Sequence, residues 1–372
     1  MIYLDHNATT LVDERVLQVM LPFFSSFYAN PSSLYKLARL SRSAIDIARE
    51  QVAQLVNARP EQVIFTSGGT EANNLALKAC LLKAKTLTSA FEHASVLQSL
   101  DNPELVGITK RGYIDQKSII QFAQKFDLAS FMLVNNETGV IQDITSLSAI
   151  MKQQGAIVHT DAVQAAGKIP VDFQALGVDL MSLSSHKMYG PKGCGALIAS
   201  TDIKSPLLTG GGQESGMRAG TENVPAIVGF GKAAELAYAE LEQRHQHCLK
   251  LRTRLENQLQ KIPEVTVFAL DSERVANTVQ FGVQNYVGEM LLMQLDKQGI
   301  AVSSGSACAT SDWSASHVLN SMGVEDDLAR SAIRVSLGQG NTEQEIDCFV
   351  QELIQICNHS AHFFDFHHGS VF

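Results

Sequence analysis

The sequence predicts an α/β fold: a large unit with a mostly parallel sheet covered by helices, plus a smaller α/β unit built mainly from the C-terminal third. Three observations lead there. Between Pro60 and Ala199, short and nearly all-apolar runs alternate with amphipathic stretches, the pattern of strands buried on both faces and joined through helices. One long helical stretch, Ala226 to Ile262, separates that region from a second mixed one. The chain has 372 residues, and a prior of about 150 residues per domain then gives two or three units.

The elements follow in order. Gln62 to Thr66 reads as a strand and Glu71 to Leu82 as a helix. Thr86 to Ala90 is strand-like, Phe131 to Val134 is a further strand, and Thr145 to Gln154 a helix. Strands at Ala156 to Thr160, Asp179 to Leu183 and Gly195 to Ala199 complete the sheet. The long helical stretch begins just after Pro225 and stops at Lys261-Ile262-Pro263, where proline ends helix propagation. The division that results assigns residues 11–250 to the large unit. Residues 1–10 and 251–372 form the small one.

Hydrophobic content of 45% with 18% charged residues describes a soluble globular protein, and a net charge of −9 leaves no basic surplus for direct nucleic-acid binding. The N-terminus lacks a secretory pattern, and no apolar stretch approaches the ~20 residues that span a bilayer, so no membrane contact is expected. Six cysteines, at 80, 194, 248, 308, 348 and 357, include no CxxC pair; reduced thiols and a cytoplasmic location are the expectation. The histidines of the tail (His359, His362, His367, His368) lack cysteines or carboxylates at ligand spacing. No metal site is expected there, only a disordered or surface-packed tail.

Chemistry gathers at the ends of strands. Ser67-Gly68-Gly69-Thr70-Glu71 joins a strand to a helix, and two glycines ahead of a helix N-terminus make an anion site; a plain turn capped by Thr70 is the simpler alternative. Asp161, in His159-Thr160-Asp161-Ala162-Val163-Gln164, lies at the carboxyl end of a parallel strand, where ligand-binding residues collect. A pyridine ring needs a carboxylate on its nitrogen to act as an electron sink. Asp161 suits that role, with Gln164 as donor to a ring hydroxyl, although a helix cap is an equally ordinary use. Lys187, in Ser184-Ser185-His186-Lys187-Met188-Tyr189-Gly190-Pro191-Lys192-Gly193, is a candidate for a Schiff base at another strand end. A solvated loop lysine is the alternative, strained by three strand ends converging on one edge. Asn136 should enter the same crevice. His93 offers a flat imidazole for stacking and proton transfer, where a structural histidine is the commoner case.

Ser303-Ser304-Gly305-Ser306-Ala307-Cys308-Ala309 surrounds one thiol with small residues. Such a loop is accessible, yet a thiol of pKa ~8.5 is only about 3% thiolate at pH 7, so neighbouring charge or a base has to raise that fraction. Arg334, inside the apolar run Ser331 to Leu337, wants a bidentate partner. A substrate α-carboxylate and an internal salt bridge both fit.

Together these residues resemble the cysteine desulfurases of the class V aminotransferase family, in the NifS/IscS-like branch. The match runs from Tyr3-Leu4-Asp5-His6-Asn7-Ala8-Thr9-Thr10 to about Asp347. Its most specific parts are Ser185 to Gly193, Gly210-Gly211-Gly212-Gln213-Glu214 with Arg218-Ala219-Gly220-Thr221, and Ser304-Gly305-Ser306-Ala307-Cys308. The resemblance implies a fold-type-I homodimer that binds pyridoxal 5'-phosphate. Lys187 then forms the Schiff base, Asp161 meets the pyridine nitrogen, Gln164 the ring oxygen, and His93 stacks on the ring beside Asn136. Gly69, Thr70, Ser184 and His186 hold the phosphate, and Thr221 reaches it from the other subunit. Arg334 takes the carboxylate of L-cysteine. Cys308 attacks the substrate sulfur, keeps it as a persulfide and passes it to an acceptor or scaffold protein.

A selenocysteine lyase or related β-eliminase is the alternative on the same fold, and a catalytically lost scaffold the alternative outside enzymes. The receiving pathway stays open between iron–sulfur assembly, tRNA thiolation, DNA phosphorothioation and cofactor synthesis. Three departures from the family pattern stand out: Tyr35 in place of a frequent histidine, Asp312-Trp313-Ser314-Ala315 after Cys308, and Gln339-Gly340-Asn341 after Arg334.

Overall fold

The computed structural model describes residues 1–79, 84–122, 124–304 and 315–365, with side chains described at those positions other than 79 and 359–365. Its strands are β1 (Ile2–Tyr3), β2 (Val63–Thr66), β3 (Thr86–Ser89), β4 (Glu104–Val106), β5 (Leu128–Ser130), β6 (Ile157–Asp161), β7 (Leu180–Ser184) and β8 (Gly195–Ala199). The later ones are β9 (Val265–Val267), β10 (Thr278–Val283), β11 (Ile300–Ala301), β12 (Ser303–Ser304) and β13 (Ile333–Ser336). A seven-stranded sheet runs β2-β8-β7-β6-β5-β3-β4, a four-stranded sheet β12-β13-β10-β9, and β1 pairs with β11.

The large sheet is parallel from β7 through β6, β5 and β3 to β4. The expectation of a parallel partner at Gly195 to Ala199 is corrected: β8 runs antiparallel to both β2 and β7. The two reversals cancel, so β2 points the same way as β7. The carboxyl ends of β2, β6 and β7 therefore share one edge, which is where ligands bind in open α/β sheets. Sequence alternation cannot reveal this reversal, because strands buried on both faces read alike whichever way they run.

Two further expectations change. The strand near residue 130 is Leu128–Ser130 and not Phe131 to Val134. Beyond Ser130 the backbone still donates from Phe131 to His159 O and from Leu133 to Asp161 O, but it forms no strand. Both stretches are fully buried, so hydrophobicity alone could not separate them. The long helix is two helices, Val224–Ala239 and Leu241–Leu259. Pro225 lies inside its first turn, where a missing N–H costs nothing. The break at Glu240 has a packing cause. Ile227, Phe230, Ala234 and Ala237 face the core of the seven-stranded sheet, whereas Cys248, Leu251, Leu255 and Leu259 face a second core around the four-stranded sheet. Between them the Glu240 carboxylate holds Arg15 and Arg244.

The second core also takes in Leu4 and residues from Ile346 to Cys357, so the chain's first residues and its last described helix, Glu343–Asp365, are packed together. The N-terminal arm then continues past β1: Leu4 N donates to Ala301 O, and Ser336 N donates to Leu4 O. That route lays residues 5–10 across the edge where β6 and β7 end.

Candidate active site

A cavity of about 230 Å³ opens at that edge, small beside the ~300–1,000 Å³ of drug-sized sites and suited to a single substituted ring. Nine of the twelve residues singled out in the sequence line it: Gly69, Thr70, His93, Asn136, Asp161, Gln164, Ser184, His186 and Lys187. Cys308 lies outside the described residues, Arg334 lies behind the wall, and Thr221 lines a separate recess with Glu214 and Arg218.

One end of the cavity is made by the N-terminus of the helix Gly69–Ala79, whose first backbone N–H groups have no helical partner. Glycine is required there. A Cβ on Gly69 would stand 2.8 Å from Val163 Cγ2, and one on Gly195 2.7 Å from the Gly68 backbone. β8 thus lets the β2 turn fold directly over the end of β7. The Ser184 hydroxyl, last in β7, is buried on this wall with no hydrogen-bond partner. A buried orphan donor beside a helix N-terminus suits an anionic group.

Asp161, last residue of β6, is 6% exposed. Its Oδ1 accepts from Val163 N at 2.9 Å and its Oδ2 from Asn73 Nδ2 at 2.8 Å. Asn73 also donates to Ser95 Oγ at 2.9 Å, and the His93 ring nitrogen Nδ1 accepts from Ser95 N at 3.1 Å as cap of the short helix Ala94–Leu97. Carboxylate, amide, hydroxyl and imidazole are thereby held in one chain. Below His93, Glu92 is completely buried. Its carboxyl is pushed up to about 8 by loss of water and further by the Asp161 charge, despite bonds from Ser89 Oγ and Met132 N.

Lys187 closes a single 3-10 turn, Ser185–Lys187, after β7. Its amine donates to the backbone oxygens of Asn7, at 2.5 Å, and Ala8, at 2.7 Å. The Gln164 amide donates to the same Asn7 oxygen at 3.0 Å. The N-terminal arm is therefore part of the site. His186 faces Thr9 Oγ1 at 3.1 Å, and burial, then the Lys187 and Lys192 charges, lowers its pKa to about 4, leaving a neutral imidazole near pH 7.

Asn136 sits in the turn after β5, where Gly139 adopts φ 76° and a Cβ would meet Thr278 Cβ at 2.9 Å. The Asn136 carbonyl accepts from Asn7 Nδ2 and from Arg334 Nη1, each at 3.1 Å. Arg334 is 3% exposed and makes the internal salt bridge that the sequence left open, Nη2 to Asp5 Oδ1 at 2.7 Å; its Nε has no partner. One face of its planar fork stays unsatisfied, as a site for a second carboxylate requires.

The ends of the segment that holds Cys308 are both in view. β12 places Ser303 directly opposite Arg334. Where the chain is described again, Ser316 Oγ donates to Glu137 Oε2 at 2.5 Å and His317 Nε2 meets Glu92 O at 3.1 Å. Glu137 and Glu92 are the direct neighbours of Asn136 and His93, so the segment leaves and returns at the cavity rim.

Several functional positions escaped the sequence reading. Asn73 had a signal, three residues beyond Thr70 on the inward face of the same helix. Asn7, Lys168 and Glu137 had none strong enough: each depends on at least one partner more than a hundred residues away. Among the described residues no cluster of three His, Cys, Asp or Glu side chains could hold a metal ion, and no helix is long and apolar enough to cross a membrane.

The model of the aminotransferase class-V family matches residues 2–349. A cysteine desulfurase IscS from Methanosarcina thermophila is 40% identical over 370 residues, covering 95% of this chain and 91% of the relative. One from Dictyoglomus turgidum is 40% identical over 370 residues, covering 95% and 94%. Among solved structures, a NifS-like protein from Rickettsia africae superposes with a TM-score of 0.89 at 34% identity, covering 96% of this chain and 99% of that one.

Proposed function

The chain belongs to the aminotransferase class-V family, and on that footing we propose that it is a cysteine desulfurase. It binds pyridoxal 5'-phosphate, takes the sulfur from L-cysteine, releases L-alanine and delivers the sulfur through Cys308 to an acceptor protein. The observation that carries the reading is the convergence on one cavity of Lys187, Asp161 and the Gly69–Ser184 anion cradle. The donor set suits this cofactor: an amine, a carboxylate, and an orphaned buried hydroxyl beside a helix N-terminus.

Bound there, the cofactor supplies an electron sink. Gly69, Thr70, Ser184 and His186 would hold its phosphate, Asp161 its ring nitrogen and Gln164 its ring oxygen, with Lys187 as its covalent anchor and His93 and Asn136 lining the ring site. Arg334 fixes the substrate carboxylate with the side of its fork that Asp5 leaves open. The Lys187 amine would carry the substrate Cα proton. The Cys308 thiolate attacks Sγ of the substrate; the C–S bonding pair stays on Cβ, which ends as the methyl of alanine, and the sulfur remains as a persulfide on Cys308.

The functional form is read as a homodimer. Leu11, Phe24, Tyr28, Leu34, Tyr35 and Leu40 expose apolar surface within residues 11–40, and exposed Thr221 is free to reach the phosphate of a second copy. Residues 11–250 serve as the cofactor-binding unit; residues 1–10 and 251–372 form the unit that brings the cysteine loop. The cytoplasm, with its reduced thiols, is the site of action; the four described cysteines, Cys194, Cys248, Cys348 and Cys357, are all free.

Two measurements test the reading. Borohydride treatment of the yellow protein traps pyridoxal on Lys187, and isotope-labelled cysteine sulfur appears on Cys308. Absence of either label from its residue ends the proposal.

A further inference from the structure

Lys168 has no part in the reading above, yet its amine lies at the centre of the polar network behind the cavity. It occupies the turn after β6, four residues beyond Gln164. Its Nζ stands 2.7 Å from Asn7 Oδ1 and 2.5 Å from Gln164 Oε1. The identity of both oxygens is fixed from elsewhere. Asn7 Nδ2 donates to Asn136 O at 3.1 Å and Thr278 Oγ1 at 2.9 Å, and Gln164 Nε2 donates to Asn7 O at 3.0 Å. The Lys168 amine therefore donates to both amides. Asn277 Nδ2 completes Asn7 Oδ1 at 3.1 Å.

The consequence reaches the cavity through two atoms. With the Lys168 amine donating to Gln164 Oε1, the NH2 of that amide is left turned to Asn7 O and the cavity. The same Asn7 oxygen receives the Lys187 amine. Lys168 itself is absent from the cavity lining; it borders two other recesses, one shared with Lys187. The residue is partly exposed while its amine is deeply desolvated. That desolvation holds its pKa well below the ordinary lysine value, reinforced by Lys187 and Arg334 and opposed by Cys248. His6, Arg244 and His245 face it across the shared recess.

We propose that Lys168 is a positioning residue for the cofactor-binding lysine, clamping Asn7 and Gln164 so that the Lys187 amine and the Gln164 N–H are presented together, and thereby setting the proton affinity of the bond between Lys187 and its cofactor. The proposal rests on the pyridoxal phosphate reading of the site. Its ligand-facing group is Gln164; Lys168 acts only through it and Asn7.

The test is a pH titration of the visible absorption of the holoenzyme, without cysteine, for the wild type and Lys168→Met. Losing the clamp on the ring-facing donor raises the midpoint by about one pH unit. Gln164→Ala shifts the midpoint in the same direction, and adding it to Lys168→Met contributes little more, since residues acting in series are not additive. A merely structural role would move thermal stability and leave the midpoint alone. If Lys168→Met does not load cofactor, Lys168→Gln, which keeps N–H donors without the charge, is titrated instead and shows a smaller rise. An unchanged midpoint in the variant that loads overturns the proposal. The wild type separates the two levels: failure of borohydride to trap pyridoxal on its Lys187 sinks the site reading, whereas a trapped wild type with an unshifted variant sinks only the role of Lys168.

Discussion

Ser316 gives its hydroxyl hydrogen to the buried carboxylate of Glu137, 179 residues earlier in the chain. Glu137 also receives Gln280 Nε2 at 2.9 Å, and Gln280 lies opposite Arg334 in the strand register. The return of the Cys308 segment is thereby tied to the turn that carries Asn136 and to the strand beside Arg334. Burial pushes the Glu137 pKa up, against the Ser316 and Gln280 bonds.

Ser316→Ala removes that tie without touching the cavity. The expected result is a kcat on L-cysteine lower by roughly tenfold, as a misplaced reacting group costs, with the cofactor absorption unchanged. Steady-state alanine release and the holoenzyme spectrum check both halves; an unchanged kcat would contradict the positioning.

Arg334→Lys exchanges a planar fork for a point charge while keeping an ion-pair partner for Asp5. KM for L-cysteine is expected to rise roughly tenfold or more, equivalent to about 1.4 kcal/mol or more of lost carboxylate binding. Arg334→Met is expected to cost more stability, about 3 kcal/mol, because Asp5 is left unpaired. Substrate kinetics and thermal melts of the two variants separate binding from folding.

Glu92 gives a pH signature. Its folded pKa, about 8, stands above the ordinary 4.5, so the native state keeps a proton that the unfolded chain has released. Stability from this group is complete below about pH 4.5, is lost as pH rises through 8, and does not return above it. Glu92→Gln stays neutral throughout. The loss of stability between pH 5 and pH 9 should shrink by about 1–3 kcal/mol relative to wild type, readable in urea melts; identical pH slopes would show that Glu92 ionises normally.

Gly69→Ala places a methyl 2.8 Å from Val163 Cγ2. Overpacking of this kind costs about 1–3 kcal/mol, and here it pushes the helix N-terminus away from the Asp161 strand end. Pyridoxal phosphate affinity is expected to drop by about tenfold or more, measured by equilibrium dialysis, with a smaller change in the melting temperature of the apoprotein.

The strand-end residues were legible in the sequence because their signals are local. Asp161 and Lys187 each follow an apolar run, and Gly68-Gly69-Thr70 marks its own turn. The direction of β8 was not legible, since all of its residues but one are buried and neither face is distinguished. The break at Glu240 was hidden because both halves carry helical periodicity, and only the existence of two cores decides where the chain turns. Asn7 was seen only as part of an N-terminal motif. Its role depends on a backbone oxygen, which no side-chain pattern encodes, and on lysines at 168 and 187 that fold against it.

The placement of that oxygen orders events during synthesis. Asn7 reaches Lys187 only because β1 is paired with β11 at Ile300 and Ala301, and Leu4 is gripped by Ser336. A nascent chain with its seven-stranded sheet already built on the ribosome still has an unplaced first segment, and so a lysine without its seat. Chains truncated before residue 336 lack the strand that grips Leu4, and are expected to bind pyridoxal phosphate more weakly than the full chain.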